Sequence, residues 1–156
     1  MTFADIVATL SRDFGTNIET DGDNCAVRAE GSNKSSVTVL MQGFDEREAL
    51  LMTADLGLPP PERPELLYRS LLEANDLFRD TGGATISIDS ATGHVRLQRF
   101  DPYIAVSEAG PRQTLLAFAT VATAWSGIVH DFRDAPKEAA TEPPAQNLDD
   151  LSGLRV

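Results

Sequence analysis

Leu66-Leu67-Tyr68-Arg69-Ser70-Leu71-Leu72-Glu73-Ala74-Asn75-Asp76-Leu77-Phe78 is the stretch on which the fold turns. Its apolar residues recur at helical spacing. At about 100° per residue, Leu66, Leu77, Ala74, Leu67, Phe78, Leu71, Asn75, Tyr68 and Leu72 cover an arc of roughly 240°. Glu65, Asp76, Arg69, Asp80 and Glu73 occupy the remainder. A helix facing one core needs an apolar stripe only somewhat over about 100° wide. The surplus predicts a second packing surface.

The flanks of this helix define where it starts and stops. Gly57 to Pro64 holds four prolines and reads as a loop. Pro64 suits the first helical turn, where its missing N–H would go unpaired anyway. Glu62 and Glu65 complement the positive end of the helix dipole. Gly82-Gly83 is the expected stop, with the helix running to about Asp80.

Upstream, the spacing predicts three strands. Cys25 to Glu30 alternates. Ser36 to Gln42 sets Val37, Val39 and Met41 against Thr38, Leu40 and Gln42. Glu48 to Asp55 sets Leu50, Met52 and Ala54 against Leu51, Thr53 and Asp55. Leu40 and Leu51 thus share a face with polar residues. The short connections favour an antiparallel meander. Downstream, Ala84 to Asp89 and His94 to Phe100 form a hairpin around Ser90–Gly93, with Val95 and Leu97 facing inward.

Helices close both ends of the domain. Phe3, Ile6, Val7, Leu10 and Phe14 follow helical spacing over residues 2–14, with Thr2 and Asp5 as a capping pair. Leu115, Phe118, Ala122, Trp125 and Val129 form a stripe over residues 111–133. The expected fold is α+β, in the order α-β-β-β-α-β-β-α, with a five-stranded twisted antiparallel sheet packed by helices. Residues 1–133 form one domain. Residues 134–156 read as a flexible, acidic, proline-containing tail, in which Leu148, Leu151 and Leu154 offer a short helical turn.

Composition narrows the function. A net charge of −11 and a pI near 4.5 repel nucleic acid and anionic membrane surfaces. The single cysteine, Cys25, excludes an intrachain disulfide. No apolar run reaches the roughly 18 residues of a membrane span, and no signal sequence opens the chain. The expectation is a cytoplasmic protein. Catalytic chemistry is thin. His94 follows a turn, His130 sits by a helix C-terminus, and Cys25 lacks a basic neighbour in sequence to lower its pKa. Two histidines and one cysteine give no metal-ligand spacing. No catalytic residue, cofactor site or metal site is expected, and a binding protein is the expected class.

Leu71-Leu72-Glu73-Ala74-Asn75, Gly83-Ala84-Thr85-Ile86-Ser87-Ile88-Asp89 and Thr92-Gly93-His94-Val95-Arg96-Leu97, with the Leu115, Phe118, Ala122 and Trp125 helix, resemble the class I type III secretion chaperones. These are the Tir-chaperone-like, or CesT-like, proteins. The resemblance covers roughly residues 3–132. It implies a cytoplasmic bacterial homodimer that binds the N-terminal region of a secreted effector, keeps it unfolded and soluble, and delivers it for secretion. It implies a secretion ATPase as a further contact. The central helix would supply the dimer face, through Leu66, Leu67, Tyr68, Leu71, Leu72 and Phe78. Either flank, Leu66/Leu77 or Tyr68/Leu72, suits the partner. Effector contacts would come from the first helix and the sheet, partly by strand addition, at Phe3, Val7, Leu10, Leu40 and Leu51. Asn75, polar within an apolar arc, is expected to hold the nearby Gly82-Gly83 turn or the dimer register. Two alternatives stand beside this reading. One is a chaperone-fold regulatory or stabilising module with no secretion client. The other is a small enzyme whose site is assembled from residues distant in sequence.

Overall fold

The computed structural model describes residues 1–31, 35–78 and 80–135 of the chain. Helix α1 (Phe3–Phe14) begins in a reciprocal cap. The Thr2 hydroxyl accepts from the Asp5 N–H, and the Asp5 carboxylate accepts from the Thr2 N–H. Two donors left over by the first turn are thereby satisfied. Gly15 ends the helix at φ 64°, a left-handed conformation that a Cβ would disfavour.

Among the described residues, six strands form one antiparallel sheet: β1 (Thr20–Asp21), β2 (Asn24–Glu30), β3 (Ser36–Phe44), β4 (Ala49–Gly57), β5 (Thr85–Ile88) and β6 (Val95–Pro102). Their spatial order is β1-β2-β3-β4-β6-β5. Strands β2 to β4 are the expected meander. Helix α2 (Pro64–Asn75) then carries the chain to the far edge, and the β5–β6 hairpin returns β6 to the side of β4. The sixth strand, β1, corrects the expected count of five. It pairs only Thr20 with Cys25 and Asp21 with Asn24, too short a segment to carry a periodic signal.

Alternation assigns the two faces as the sequence predicts. Val37, Val39 and Met41 of β3 and Leu50, Met52 and Ala54 of β4 are buried. Helices α1 and α4 (Pro111–Asp134) cover that face. Leu115, Phe118, Ala119 and Ala122 of α4 are fully buried. Each large apolar side chain so buried stabilises the fold by about 1.5–3 kcal/mol. By length and composition α4 is apolar enough to cross a membrane, with a mean hydropathy of 1.3. Its apolar face packs on β2, β3 and β4. Gly43 lets α1 approach closely, since a Cβ there would overlap the Phe3 side chain.

Three local expectations change. A helix α3 (Tyr103–Ala109) fills the segment between β6 and α4. At seven residues it shows only one helical repeat, Tyr103 to Val106, both buried. Helix α2 stops at Asn75, short of Asp80, and a 3-10 turn follows at Asp76–Phe78. Leu77 (φ 54°) and Phe78 (φ 53°) there adopt the left-handed region. Finally, α2 is not the centre of the molecule. It packs beside β5 at the sheet edge, whereas α4 spans the sheet. The Leu148, Leu151 and Leu154 turn, with the tail from Pro136 onward, lies outside the described residues.

Candidate functional site

Among the described residues, exposed apolar side chains gather on two surfaces, and Met1, Leu58, Ile88 and Ile104 are exposed besides. The first is the outer face of the sheet. Side chains alternate, so burying Val39, Met41 and Met52 inside turns Leu40, Gln42, Leu51 and Thr53 outward. The register aligns Ala26 with Leu40 and Leu40 with Thr53; one step along, Gln42 faces Leu51 and Leu51 faces Phe100. Leu40 is 56% exposed and Phe100 51%. The Phe100 ring meets that of Phe44 at a centroid distance of 5.8 Å and a tilt of 49°. A groove of about 550 Å³ crosses this face, with Glu19 and Asp21 at the β1 end, Ala26, Leu40 and Leu51 along it, and Arg96 at the β6 end.

Polar pairs border the strip. The Arg96 Nη2 lies 2.6 Å from Asp89 Oδ2. The Thr92 hydroxyl and the Ala91 N–H also donate to Asp89, and together they hold its carboxyl below the ordinary value. The Nδ1 of His94 lies 2.7 Å from Asp55 Oδ2, and the His94 side chain remains 34% exposed.

The second surface is the end of α2. Leu67, Leu71 and Ala74 turn inward. Leu72, Leu77 and Phe78 are exposed, at 72%, 79% and 54%. Leu66 and Tyr68 are half-buried. A groove of about 670 Å³ runs between Leu72, Ala74 and Trp125, rimmed by Glu73, Asp76 and Asp80. The Trp125 indole N–H donates to the Asp80 carbonyl at 3.0 Å, which fixes the wall of that groove.

The apolar arc of the central helix is therefore split. Leu67 and Leu71, expected at a dimer face, are 0% and 4% exposed and pack in the protomer's own core. Phe3, Val7 and Leu10, expected to meet an effector, are 3%, 7% and 0% exposed and are likewise core. The reason is shared: α1 and α2 each spend their most regular stripe on the sheet. Leu40 and Leu51 stand on the outer face, as their place among polar residues predicts. Phe44 and Phe100 join them there without having been singled out in the sequence. The outward parity of Phe100 with Gln98 was the available signal.

Cys25 is buried, and desolvation pushes its thiol up to about 11, so it stays protonated. Among the described residues, no group of three or more His, Cys, Asp or Glu side chains is placed to hold a metal ion.

The sequence model of the Tir chaperone protein (CesT) family matches residues 5–125. Comparison with curated proteins yields no match. Among solved structures, the ExsC-ExsE complex contains a chain similar in fold, with a TM-score of 0.60 and 19% identity, over 80% of this chain and 91% of that one. A chain of the HopA1-SchA chaperone-effector complex gives 0.58 and 17%, over 83% and 94%. A chain of the heterodimeric ExoU-SpcU complex from the type III secretion system of Pseudomonas aeruginosa gives 0.53 and 18%, over 80% and 97%. At these identities the likeness shows the fold.

Proposed function

The chain belongs to the Tir chaperone protein (CesT) family, and on that basis we propose that it is a cytoplasmic bacterial type III secretion chaperone. It binds the N-terminal region of a secreted effector, holds that segment extended and soluble, and releases it to the secretion apparatus. The observation that carries this reading is the apolar strip on the outer sheet face, where Leu40 and Leu51 line a groove open to solvent and the Phe44–Phe100 ring pair stands beside Leu51. A contiguous exposed apolar strip with a polar border is the form of a protein-binding surface. Strand β2 adds a second contact. β1 covers it only at Asn24 and Cys25, so its edge from Ala26 onward can accept a strand of the client.

The chaperone acts as a homodimer through Leu72, Leu77 and Phe78, with Leu66 and Tyr68 beside them. The exposure of these residues at one end of α2 supports that assignment. The secretion ATPase is a further partner on the strength of the resemblance.

Affinity purification of the tagged chain from its host, read by mass spectrometry, tests the function. The expected result is a secreted protein that co-purifies through its N-terminal region and whose secretion falls when the chaperone gene is deleted. A partner retained with unchanged secretion would favour the regulatory module instead, and no partner at all would overturn client binding.

A further inference from the structure

The outer-face groove is electrically lopsided. At the β1 end the carboxylates of Glu19 and Asp21 are exposed and have no ion-pair partner among the described residues. At the β6 end Arg96, the one cation among the described residues of the groove, is engaged by Asp89 at 2.6 Å. Between them the apolar side chains of Ala26, Leu40 and Leu51 line the groove. The chain as a whole carries a net charge of −11, so its field adds to the local one.

We propose that this groove selects an extended segment bearing an apolar side chain and, two or four residues from it, a lysine or arginine. The spacing follows from sheet geometry. Strands lie about 4.8 Å apart, so β1 stands roughly 10 Å from β3, where Leu40 sits. An extended chain crossing the strands advances about 3.3 Å per residue. Side chains of an extended segment alternate, so an apolar residue seated on Leu40 and Leu51 turns the second and fourth residues along it toward the sheet, and a long basic side chain at either position reaches Glu19 and Asp21. The apolar contact supplies affinity, and the charge pair sets direction and discriminates against acidic segments. Occupancy by a second copy of this chain is disfavoured, because its own surface is predominantly acidic.

The inference rests on client binding as proposed above and names the chemistry of the client segment. The test pans a displayed library of random twelve-residue peptides on the full-length protein, on the double variant E19K/D21K, and on L40D. The wild type is expected to enrich peptides with Leu, Ile or Phe two or four positions from Lys or Arg. E19K/D21K is expected to bind those peptides roughly tenfold more weakly and to enrich acidic ones instead. L40D is expected to lose both sets while keeping its fold by circular dichroism. Apolar peptides enriched without charge preference, or the same set enriched by E19K/D21K, would overturn the charge selectivity and leave client binding standing. Peptides that bind L40D equally well would overturn the groove as the site. An L40D variant that turns a dimer into a monomer would identify a second copy as the occupant and overturn the proposal.

Discussion

The side-chain amide of Asn75 is hydrogen-bonded twice to the backbone of Ile86. Its Nδ2 donates to the Ile86 carbonyl at 2.9 Å, and its Oδ1 accepts from the Ile86 N–H at 2.8 Å. The amide copies the pairing of a neighbouring strand at the free edge of β5. It joins α2 to the sheet and blocks that edge against other chains. A polar residue inside an apolar arc is thereby explained, with Ile86 as its partner rather than the Gly82-Gly83 turn or a dimer register.

Replacing Asn75 with Ala removes both bonds and leaves the Ile86 backbone groups without that partner. The expected loss is about 1–3 kcal/mol of unfolding free energy, read by urea titration. An Asn75→Asp variant keeps the acceptor and loses the donor, so it should not restore stability.

Leu71 and Leu72 are adjacent but opposite in exposure, 4% against 72%. Leu71→Asp buries an unpaired carboxylate and should yield unfolded protein. Leu72→Asp should keep the native circular dichroism and thermal transition while breaking the proposed dimer. Light scattering would then report the chain mass of 16.8 kDa instead of twice that value. A folded Leu72→Asp variant that stays dimeric would place the interface elsewhere.

The Tyr103 hydroxyl donates to Asp45 Oδ1 at 2.6 Å, and the Phe3 N–H donates to the same oxygen at 2.9 Å. Tyr103 first, then Phe3, holds the Asp45 carboxyl below its ordinary 3.8. The resulting stabilisation is full above 3.8 and is lost as pH falls through the lower folded value. Burial, then the Asp45 contact, raises the Tyr103 phenol above 10.0, so its contribution is full below 10.0 and fades as pH rises through the folded value. Tyr103→Phe should therefore be destabilised at about pH 7, with the gap to wild type narrowing toward about pH 3 and above about pH 10. Unfolding curves across that range are the check.

The Cys25 thiol, pushed by burial from 9.0 to about 11, should resist alkylation. At about pH 8 the native protein should react with iodoacetamide roughly a hundredfold more slowly than the unfolded chain, in proportion to thiolate. Mass spectrometry with and without guanidine reads the ratio. Fast native labelling would mean that the β2 region opens readily.

Much of the fold was legible in the chain. The two-residue period over Val37–Met41 and Leu50–Ala54 identifies both the strands and their buried face. The Thr2–Asp5 cap and Gly15 bracket α1. What was missed is short or non-local. β1 and α3 contain too few residues for a period to appear. The end of α2 at Asn75 coincides with a bond to Ile86, eleven positions along the chain and on another element.

The site divides the same way. Leu40 and Leu51 were readable because a single strand decides which face a side chain takes. Phe3, Val7, Leu10, Leu67 and Leu71 were not, because an apolar stripe on a helix looks the same whether it meets its own core or a partner. By itself, the sequence determined the period of each main element, the sheet faces, the acidic charge and the family resemblance, all of which are local or summed properties. Only the tertiary structure decided that α4 rather than α2 spans the sheet, that Leu72, Leu77 and Phe78 remain uncovered, and that Phe44 meets Phe100 on the outer face. Those outcomes depend on which surfaces compete successfully for burial, and that competition is settled only when the elements pack together.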